Sequence, residues 1–321
     1  MADGNLNIST ISSGIFRSKS ASNPASLLIY KATGFGVIML LSFIFNCVSL
    51  VVLRRMREIN AVTRVFLTSM TVADIAAIVL YTPLLISTIH DKWVFGETFC
   101  SVYAHLWFSI GTITYCGLPF VNLERFIAVV LPYRYPSLVT VSRSRGVVIC
   151  TWSSSFAVSL ILCFHGQSVR YIPYYHVCFP STTNTLSIIF SMSSLLPIIV
   201  DLCLCGILCR VTRHHARQID AQERIVNINS VNKLERKTFM TFFIMTACFT
   251  FCLVPQSIIM ILYNLRTTEA PNAWSACLAQ QFALCNTMFN VLVYYWRTKA
   301  FRKSVTDALA DLKEFITKLY K

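Results

Sequence analysis

Charged residues are scarce in this sequence: they make up 13% of its 321 residues, whereas 55% are hydrophobic. An average soluble domain has roughly 25% charged residues, so we expect lipid to cover much of this protein's surface. The phosphate-binding patterns GxGxxG and GxxxxGK and the zinc pattern HExxH are missing. The 13 cysteines show no metal-binding spacing, and most lie in apolar runs, where they behave as small hydrophobic residues. The sequence therefore predicts neither an enzyme nor a bound metal cluster.

Long apolar segments are what the sequence has instead. Seven of them are each long enough to cross a hydrocarbon core of about 30 Å as a helix. Helices are favoured because they satisfy their own backbone hydrogen bonds inside the bilayer. We therefore predict an all-α membrane protein, a bundle of seven transmembrane helices. The predicted segments, one to seven, are residues 27–54, 62–89, 98–130, 145–166, 186–210, 237–263 and 273–296.

The basic residues predict the orientation. With the N-terminus outside the cell, 22 of the 28 lysines and arginines lie in or beside the inner loops and the C-terminal tail. The net charge of +14 thus indicates attraction to anionic inner-leaflet lipid and not nucleic-acid binding. We predict an extracellular tail (1–26), a transmembrane domain (27–296) and a membrane-surface helix with cytoplasmic tail (297–321). In the extracellular tail we expect no cleaved signal peptide, and we predict that Asn7 is a glycosylation acceptor.

Polar residues inside the predicted segments are functional hypotheses, because a charge there costs at least ~2.5 kcal/mol. Asp74 lies in the middle of segment two, and Asn286, Asn290 and Tyr294 form one stripe on segment seven. A hydrated network here could hold a sodium ion at Asp74; the alternative is a purely structural hydrogen-bonded network. For Asp201 we expect only a hydrogen bond to a neighbouring helix or a position near the inner face. The predicted network comprises Asn46, Asp74, Thr114, Asn286 and Asn290.

An acid and an arginine, Glu124 and Arg125, lie near the end of segment three. Arg125 follows Cys100 by 25 residues, about 37 Å along a helix, which places it at the cytoplasmic edge. Glu235 precedes Pro255 by 20 residues, about 30 Å down segment six, at the same level. We expect Arg125 to contact both acids, as in a two-state latch; the alternative is a surface ion pair without a switching role.

These motifs together resemble the rhodopsin-like (class A) G-protein-coupled receptors, over residues 27 to about 310. Leu67 to Asp74 match a second-helix motif, Trp93 to Gly96 an outer-loop motif, and Asn290 to Tyr294 a seventh-helix motif. Single residues that match family positions in chain order are Asn46, Cys100, Arg125, Trp152, Cys178, Pro197, Phe249, Pro255 and Phe301. The resemblance implies a Cys100–Cys178 disulfide, a hinge formed by Pro197, Phe249 and Pro255, and a short amphipathic eighth helix.

The resemblance also implies a function at the plasma membrane. An extracellular ligand would favour outward movement of helix six about Pro255, which would release Arg125 and open a groove for a heterotrimeric G protein. The implied switch comprises Glu124, Arg125, Glu235 and Tyr294. The eighth helix would contact membrane lipids. The tail offers few phosphate acceptors, with Ser304, Thr306 and Thr317 as the candidates, so we expect weak arrestin binding.

Several positions depart from the family pattern. Leu253 replaces the sixth-helix tryptophan, and Val291 replaces the seventh-helix proline. Tyr115 occupies a usually aliphatic position, and Cys205 stands where a fifth-helix tyrosine is usual. A constitutively active or non-signalling receptor is therefore the alternative interpretation. A transporter or channel is disfavoured because the sequence shows no internal repeat.

The outer half of the bundle should hold the ligand. Trp107 stands where amine receptors carry an aspartate, and Leu284 where opsins carry the retinal lysine. The resemblance is thus to an orphan-type receptor that is neither amine-type nor retinal-binding. An aromatic, amide-rich lining suits a neutral or lipid-like ligand, or a peptide leaning on Arg170 and His176, although each aromatic could simply pack between helices. The predicted pocket residues are Tyr103, Trp107, Phe108, Gly111, Gln256, Met260, Tyr263, Gln280 and Leu284.

Overall fold

The structure is a computed structural model, and it describes most of the transmembrane region. The described residues are 24–56, 59–164, 169–173, 175–180, 194–211, 213, 231–264 and 272–319. Seven helices within these ranges are long and apolar enough to cross a membrane. The predicted fold class, a seven-helix membrane bundle, is confirmed. Asn7 lies outside the described residues.

The seven spanning helices follow one another along the chain, and a surface helix comes after them. Their bounds are α1 (Ala25–Arg55), α2 (Ala61–His90), α3 (Gly96–Val130), α4 (Val141–Phe164), α5 (Ser194–Val211), α6 (Val231–Asn264), α7 (Ala273–Arg297) and α8 (Lys299–Leu319). A single helical turn, Tyr135–Leu138, lies between α3 and α4. Among the described residues, α1 packs on α2, α2 on α3, α3 on α4 and α6 on α7, and α1 also packs against α7.

Helix ends are set by local chemistry. The Asn60 side chain accepts a hydrogen bond from the Val62 backbone nitrogen at 3.0 Å and so caps the start of α2. Asn272 caps α7 in the same way, through the Trp274 nitrogen. At the end of α2, Asp91 takes the left-handed conformation with φ 48°, which stops the helix and turns the chain.

A two-stranded hairpin covers the outer end of the bundle. Strands β1 (Val169–Ile172) and β2 (Val177–Pro180) pair antiparallel, with Tyr171 opposite Cys178. Cys178 is bonded to Cys100 at the start of α3, and their Cα atoms are 5.4 Å apart. The predicted disulfide is confirmed, and it ties the hairpin to α3.

The core and the lipid-facing surface differ as expected for a membrane bundle. Leu67, Leu118 and Phe249 are fully buried between helices. Large apolar side chains on the outside are more than half exposed, as on Ile149 and Phe251, and lipid would cover them.

The surface helix α8 contacts the bundle near its start and again just past its middle. Phe301 is buried against Tyr294 of α7, with ring centroids 6.2 Å apart. Asp311 forms an ion pair with Arg55 at the end of α1. These contacts hold α8 against the inner ends of α1 and α7.

Candidate functional site

Glu124 and Arg125 form an ion pair at the inner end of α3. The Arg125 Nε atom lies 2.8 Å from the Glu124 Oε2 atom, and the Glu124 side chain is almost fully buried. The Thr63 hydroxyl of α2 donates to Glu124 Oε2 at 3.3 Å, and the Tyr135 hydroxyl donates to Oε1. These donors and the arginine offset the cost of burying the carboxylate.

Tyr135 belongs to the turn between α3 and α4 and keeps its proton. Burial, followed by the hydrogen bond to Glu124 and its negative charge, raises the pKa of Tyr135 to about 12. The Asn60 amide donates to the Tyr135 oxygen at 2.9 Å. At physiological pH the phenol is therefore a fixed donor to Glu124, and it links the acid to the start of α2.

Arg125 also reaches α2 and α6. Its guanidinium donates to the Thr63 hydroxyl, and its Cζ atom lies 5.6 Å from the centroid of the Phe242 ring, within cation–π range. The edge of Phe242 in turn meets Tyr294 of α7, with centroids 6.3 Å apart. The structure thus brings together Glu124, Arg125 and Tyr294 of the predicted switch.

Glu235, the fourth residue of the predicted switch, has its backbone on α6 but its side chain lies outside the described ones. Phe242 follows Glu235 by two helical turns, about 10 Å nearer the membrane interior. The contact of Arg125 with α6 that the structure describes is therefore with Phe242. The sequence did not indicate Thr63, Tyr135 or Phe242, because contacts between different structural elements leave no local pattern in a single sequence.

A cavity of about 560 Å³ lies beside Arg125 at the inner end of the bundle. It is bounded by α2, α3, α6, α7 and the start of α8, and its basic side chains come from Arg125, Arg297 and Lys299. The hydroxyl of Tyr294, which also lines it, has no hydrogen-bond partner among the described residues.

A second cavity, of about 160 Å³, lies in the outer half of the bundle. Its described lining carries no charged side chain. Phe179 of the disulfide-bonded hairpin lines it, so the hairpin forms part of the cavity wall. The lining residues are Ala77, Leu80, Tyr81, Trp107, Phe108, Ile110, Gly111, Thr112, Thr114, Tyr115, Phe179, Ser194, Leu253, Gln256, Ser257, Met260, Ala283 and Thr287.

The predicted pocket residues separate into two groups. Five line the outer cavity: Trp107, Phe108, Gly111, Gln256 and Met260. Three others, whose side chains the structure describes, do not line it. Tyr103 is buried against Trp93, with centroids 5.2 Å apart. Gln280 donates to the Tyr175 carbonyl of the hairpin at 3.1 Å, and Leu284 is buried between helices. The Tyr263 side chain lies outside the described ones.

The polar network around Asp74 encloses a small space. The Asn290 amide donates to Asp74 Oδ2 at 3.4 Å, and the Asn46 amide donates to the Thr287 carbonyl at 3.0 Å, which joins α1 to α7. Asp74 Oδ1 and Asn46 Oδ1 have no hydrogen-bond partner among the described residues. The space is about 10 Å³, enough for one water-sized species. This oxygen-rich set fits a small hard cation such as sodium.

Two residues of the predicted network lie elsewhere. Thr114 lines the outer cavity, and Asn286 is buried on α7 without lining the small space. Their hydroxyl and amide oxygens have no partner among the described residues. The structure therefore places Asn46, Asp74 and Asn290 together, with Thr114 and Asn286 as separate polar groups further out.

The predicted hinge residues lie on α5 and α6. Pro255 is inside α6, where it removes one backbone donor. Phe249, one and a half turns nearer the inner end, is buried and meets the edge of the Tyr115 ring at 6.5 Å. Since Tyr115 lines the outer cavity, it connects that cavity to Phe249. Pro197 lies within the described part of α5.

The arrangement is that of a seven-helix membrane receptor: an outer cavity, a disulfide-bonded hairpin beside it, and a buried acid–arginine pair at the inner end. Residues 45–294 match the family described as 7 transmembrane receptor (rhodopsin family). The chain belongs to this family, as the sequence motifs predict. Its members are membrane receptors, which makes this a multi-pass protein of the plasma membrane.

Individual relatives are distant. The alpha-1A adrenergic receptor of Canis lupus familiaris is 30% identical over 142 residues, which cover 43% of this chain and 48% of that receptor. The Homo sapiens lysophosphatidic acid receptor 4 is 24% identical over 297 residues, 84% of this chain and 75% of that receptor. The chain thus spans about half of the canine adrenergic receptor. The crystal structure of squid rhodopsin has a TM-score of 0.76 over 91% of this chain and 87% of its own, at 14% identity; that likeness concerns the fold alone.

Proposed function

We propose that the protein is a cell-surface receptor that couples an extracellular ligand to heterotrimeric G proteins. The observation that carries this proposal is the Glu124–Arg125 pair, which lies at the wall of the inner cavity and contacts α2 and α6. A helix of a G protein would enter that cavity. Arg125 and its neighbours are the groups that would meet it.

Outward movement of α6 is the proposed switching step. Such a movement separates Phe242 from Arg125 and widens the inner cavity. Arg125 would then exchange its contact with α6 for contacts with the G protein. Glu235 is proposed as a further partner of Arg125 in the closed state. Tyr294, whose hydroxyl has no described partner, is placed to take a new hydrogen bond as α6 leaves.

The outer cavity is the proposed ligand site. Its uncharged, largely apolar lining favours a neutral or lipid-like molecule over a charged one, because a charge would lose its hydration without a counter-ion. Trp107 lines the cavity at the position where a protonated amine would need a carboxylate. Leu284 stands where opsins carry the retinal lysine, which supports the proposal that retinal is not bound. A peptide that enters beside the hairpin would meet Phe179, which borders the cavity.

Guanine-nucleotide exchange tests the proposal. Membranes that contain the wild-type protein or the Arg125→Gln variant are incubated with a panel of purified G proteins, with and without a lipid extract. We expect exchange on at least one G protein with the wild type and a large loss with Arg125→Gln at equal receptor amount. Exchange that is absent for the whole panel, or equal for the two proteins, would contradict the proposal.

A constitutively active receptor is the second candidate. Leu253 lines the outer cavity without the aromatic ring that the family usually has there, and Val291 lets α7 continue without a proline. The inner cavity is already about 560 Å³ in this structure. The same exchange assay separates the two candidates: a constitutive receptor gives full exchange before the extract is added, and a ligand-gated one does not.

A further inference from the structure

One side chain, Asn122, joins three helices inside the membrane. Its Nδ2 atom on α3 lies 2.6 Å from Asp201 Oδ1 on α5 and 2.7 Å from Thr246 Oγ1 on α6. All three residues are buried, with exposed fractions of 1%, 0% and 2%. An amide nitrogen carries two hydrogens, and here each has an acceptor.

The position of this bridge relates it to the switch. Asn122 lies one turn outward from Arg125 on α3, and Thr246 lies one turn outward from Phe242 on α6. Phe249, which contacts Tyr115 of the outer cavity, is three residues further along α6. The bridge therefore lies between the outer cavity and the Arg125 site.

Outward movement of α6 must break the bond between Asn122 and Thr246. A hydrogen bond broken inside the bundle has no lipid group to replace it, so each polar group must find a protein or water partner or remain unpaired. Asp201 has such capacity, because its Oδ2 atom is buried without a hydrogen-bond partner among the described residues. The Asn122–Asp201 pair can thus remain when Thr246 moves away.

We propose that Asn122, Asp201 and Thr246 form a polar clasp that holds α6 against α3 and α5 and sets how often the inner end opens without ligand. The inference rests on the proposed function only in that α6 is the moving helix. Asp201 is a positioning residue: its carboxyl group orients the Asn122 amide, and the amide holds Thr246. This assigns a specific role to an acid that would otherwise be an expensive buried group.

Distance measurements on the purified full-length protein test the clasp directly. Spin labels are attached to genetically encoded ketone residues at Arg145 on α4 and Met240 on α6, both exposed; the eleven free cysteines rule out ordinary thiol labels. Pulsed dipolar spectroscopy then compares the wild type with Thr246→Val, which has nearly the same volume but no hydroxyl. Thr246→Ser, which keeps the hydroxyl, is the matched control.

We expect Thr246→Val to raise the population with a longer Arg145–Met240 distance by roughly three- to tenfold, the shift expected from losing one intramembrane hydrogen bond. Thr246→Ser should resemble the wild type. Asp201→Leu should shift the population in the same direction, whereas Asp201→Asn keeps an acceptor oxygen and should shift it much less.

The outcomes separate the clasp from a merely structural cluster. If Thr246→Val and Asp201→Leu lower thermal stability or surface level but leave the distance distribution unchanged, the clasp is overturned. A distance shift without a matching rise in G-protein exchange would support the clasp and contradict the proposed function instead. Combining Asn122→Leu with Thr246→Val should shift the population by less than the sum of the two single effects, and a fully additive shift would contradict a shared bond.

Discussion

Arg125 pairs with the acid next to it in sequence, and that acid, Glu124, is the more buried partner of the two. The carboxylate accepts from Thr63 and Tyr135 as well, so its surroundings are arranged for a negative charge. Arg125 is about a quarter exposed and borders the inner cavity. The acid is thus the fixed member of the pair, and the arginine is the member that can change partners.

Neutralising the fixed acid should release the arginine. We expect Glu124→Gln to raise ligand-independent G-protein exchange roughly fivefold, equivalent to about 1 kcal/mol for a partly exposed ion pair. Tyr135→Phe, which removes one donor and leaves the ion pair, is the control and should have a smaller effect. Exchange is measured at equal surface level, and a fall with Glu124→Gln would show that the acid supports the active state.

The hairpin should make the protein less stable in acid. Burial, and next the charge of Lys31, lower the pKa of His176 from 6.5 to about 4, while Asp91 opposes them. The unfolded state therefore binds the proton near pH 6.5 and the folded state only near pH 4. The contribution of the neutral His176 to the free energy of unfolding is fully present above pH 6.5. It decreases as the pH falls towards 4, by about 2 kcal/mol between pH 7 and pH 5.

Thermal unfolding of the purified protein at these two pH values measures this effect. The variant His176→Gln should be destabilised by less on acidification than the wild type. His90→Gln, at an exposed histidine at the end of α2, is the control and should keep the wild-type dependence. Equal pH dependence in all three proteins would contradict the assignment to His176.

Filling the outer cavity should block the ligand without disturbing the fold. A Cβ atom added at Gly111 meets no atom within 4 Å, and the residue lines the cavity. We expect Gly111→Leu to lower the potency of an active lipid extract at least tenfold, about 1.4 kcal/mol. Gly206→Leu, at a position on α5 that is equally open, is the control. Unchanged potency with Gly111→Leu would place the ligand elsewhere.

The C-terminal tail should bind arrestin weakly. The Thr306 and Thr317 hydroxyls already donate to carbonyls one turn earlier in α8, at 2.7 Å and 2.8 Å, so neither lies on an extended segment. We expect low arrestin recruitment that does not change when Ser304, Thr306 and Thr317 are replaced together by alanine. Recruitment that is strong and lost in the triple variant would contradict this.

The fold could be predicted from the sequence because its cause is local. A transmembrane helix needs about 20 apolar residues in a row, and the distribution of Lys and Arg over the loops indicates its orientation across the membrane. The disulfide needed the family resemblance in addition, since spacing does not pair cysteines.

The site could be predicted only in part because its contacts depend on how each helix is rotated about its axis. Trp107 and Gly111, one turn apart, both line the outer cavity, but Tyr103, one turn further out, packs against Trp93. Likewise, polar residues on α3, α5 and α6 are too few to indicate which face of each helix points inward. The sequence therefore did not predict that Asp201 would meet Asn122 and Thr246.

We propose that loss of the contact between α6 and Arg125 releases the arginine and switches the receptor on. The most direct test is ligand-independent nucleotide exchange in membranes that contain Phe242→Leu or Glu235→Ala, compared with Lys237→Ala on the same helix and with the wild type. We expect exchange to rise severalfold with Phe242→Leu and with Glu235→Ala and to stay at the wild-type level with Lys237→Ala. Wild-type exchange from both Phe242→Leu and Glu235→Ala, each well expressed, would contradict this.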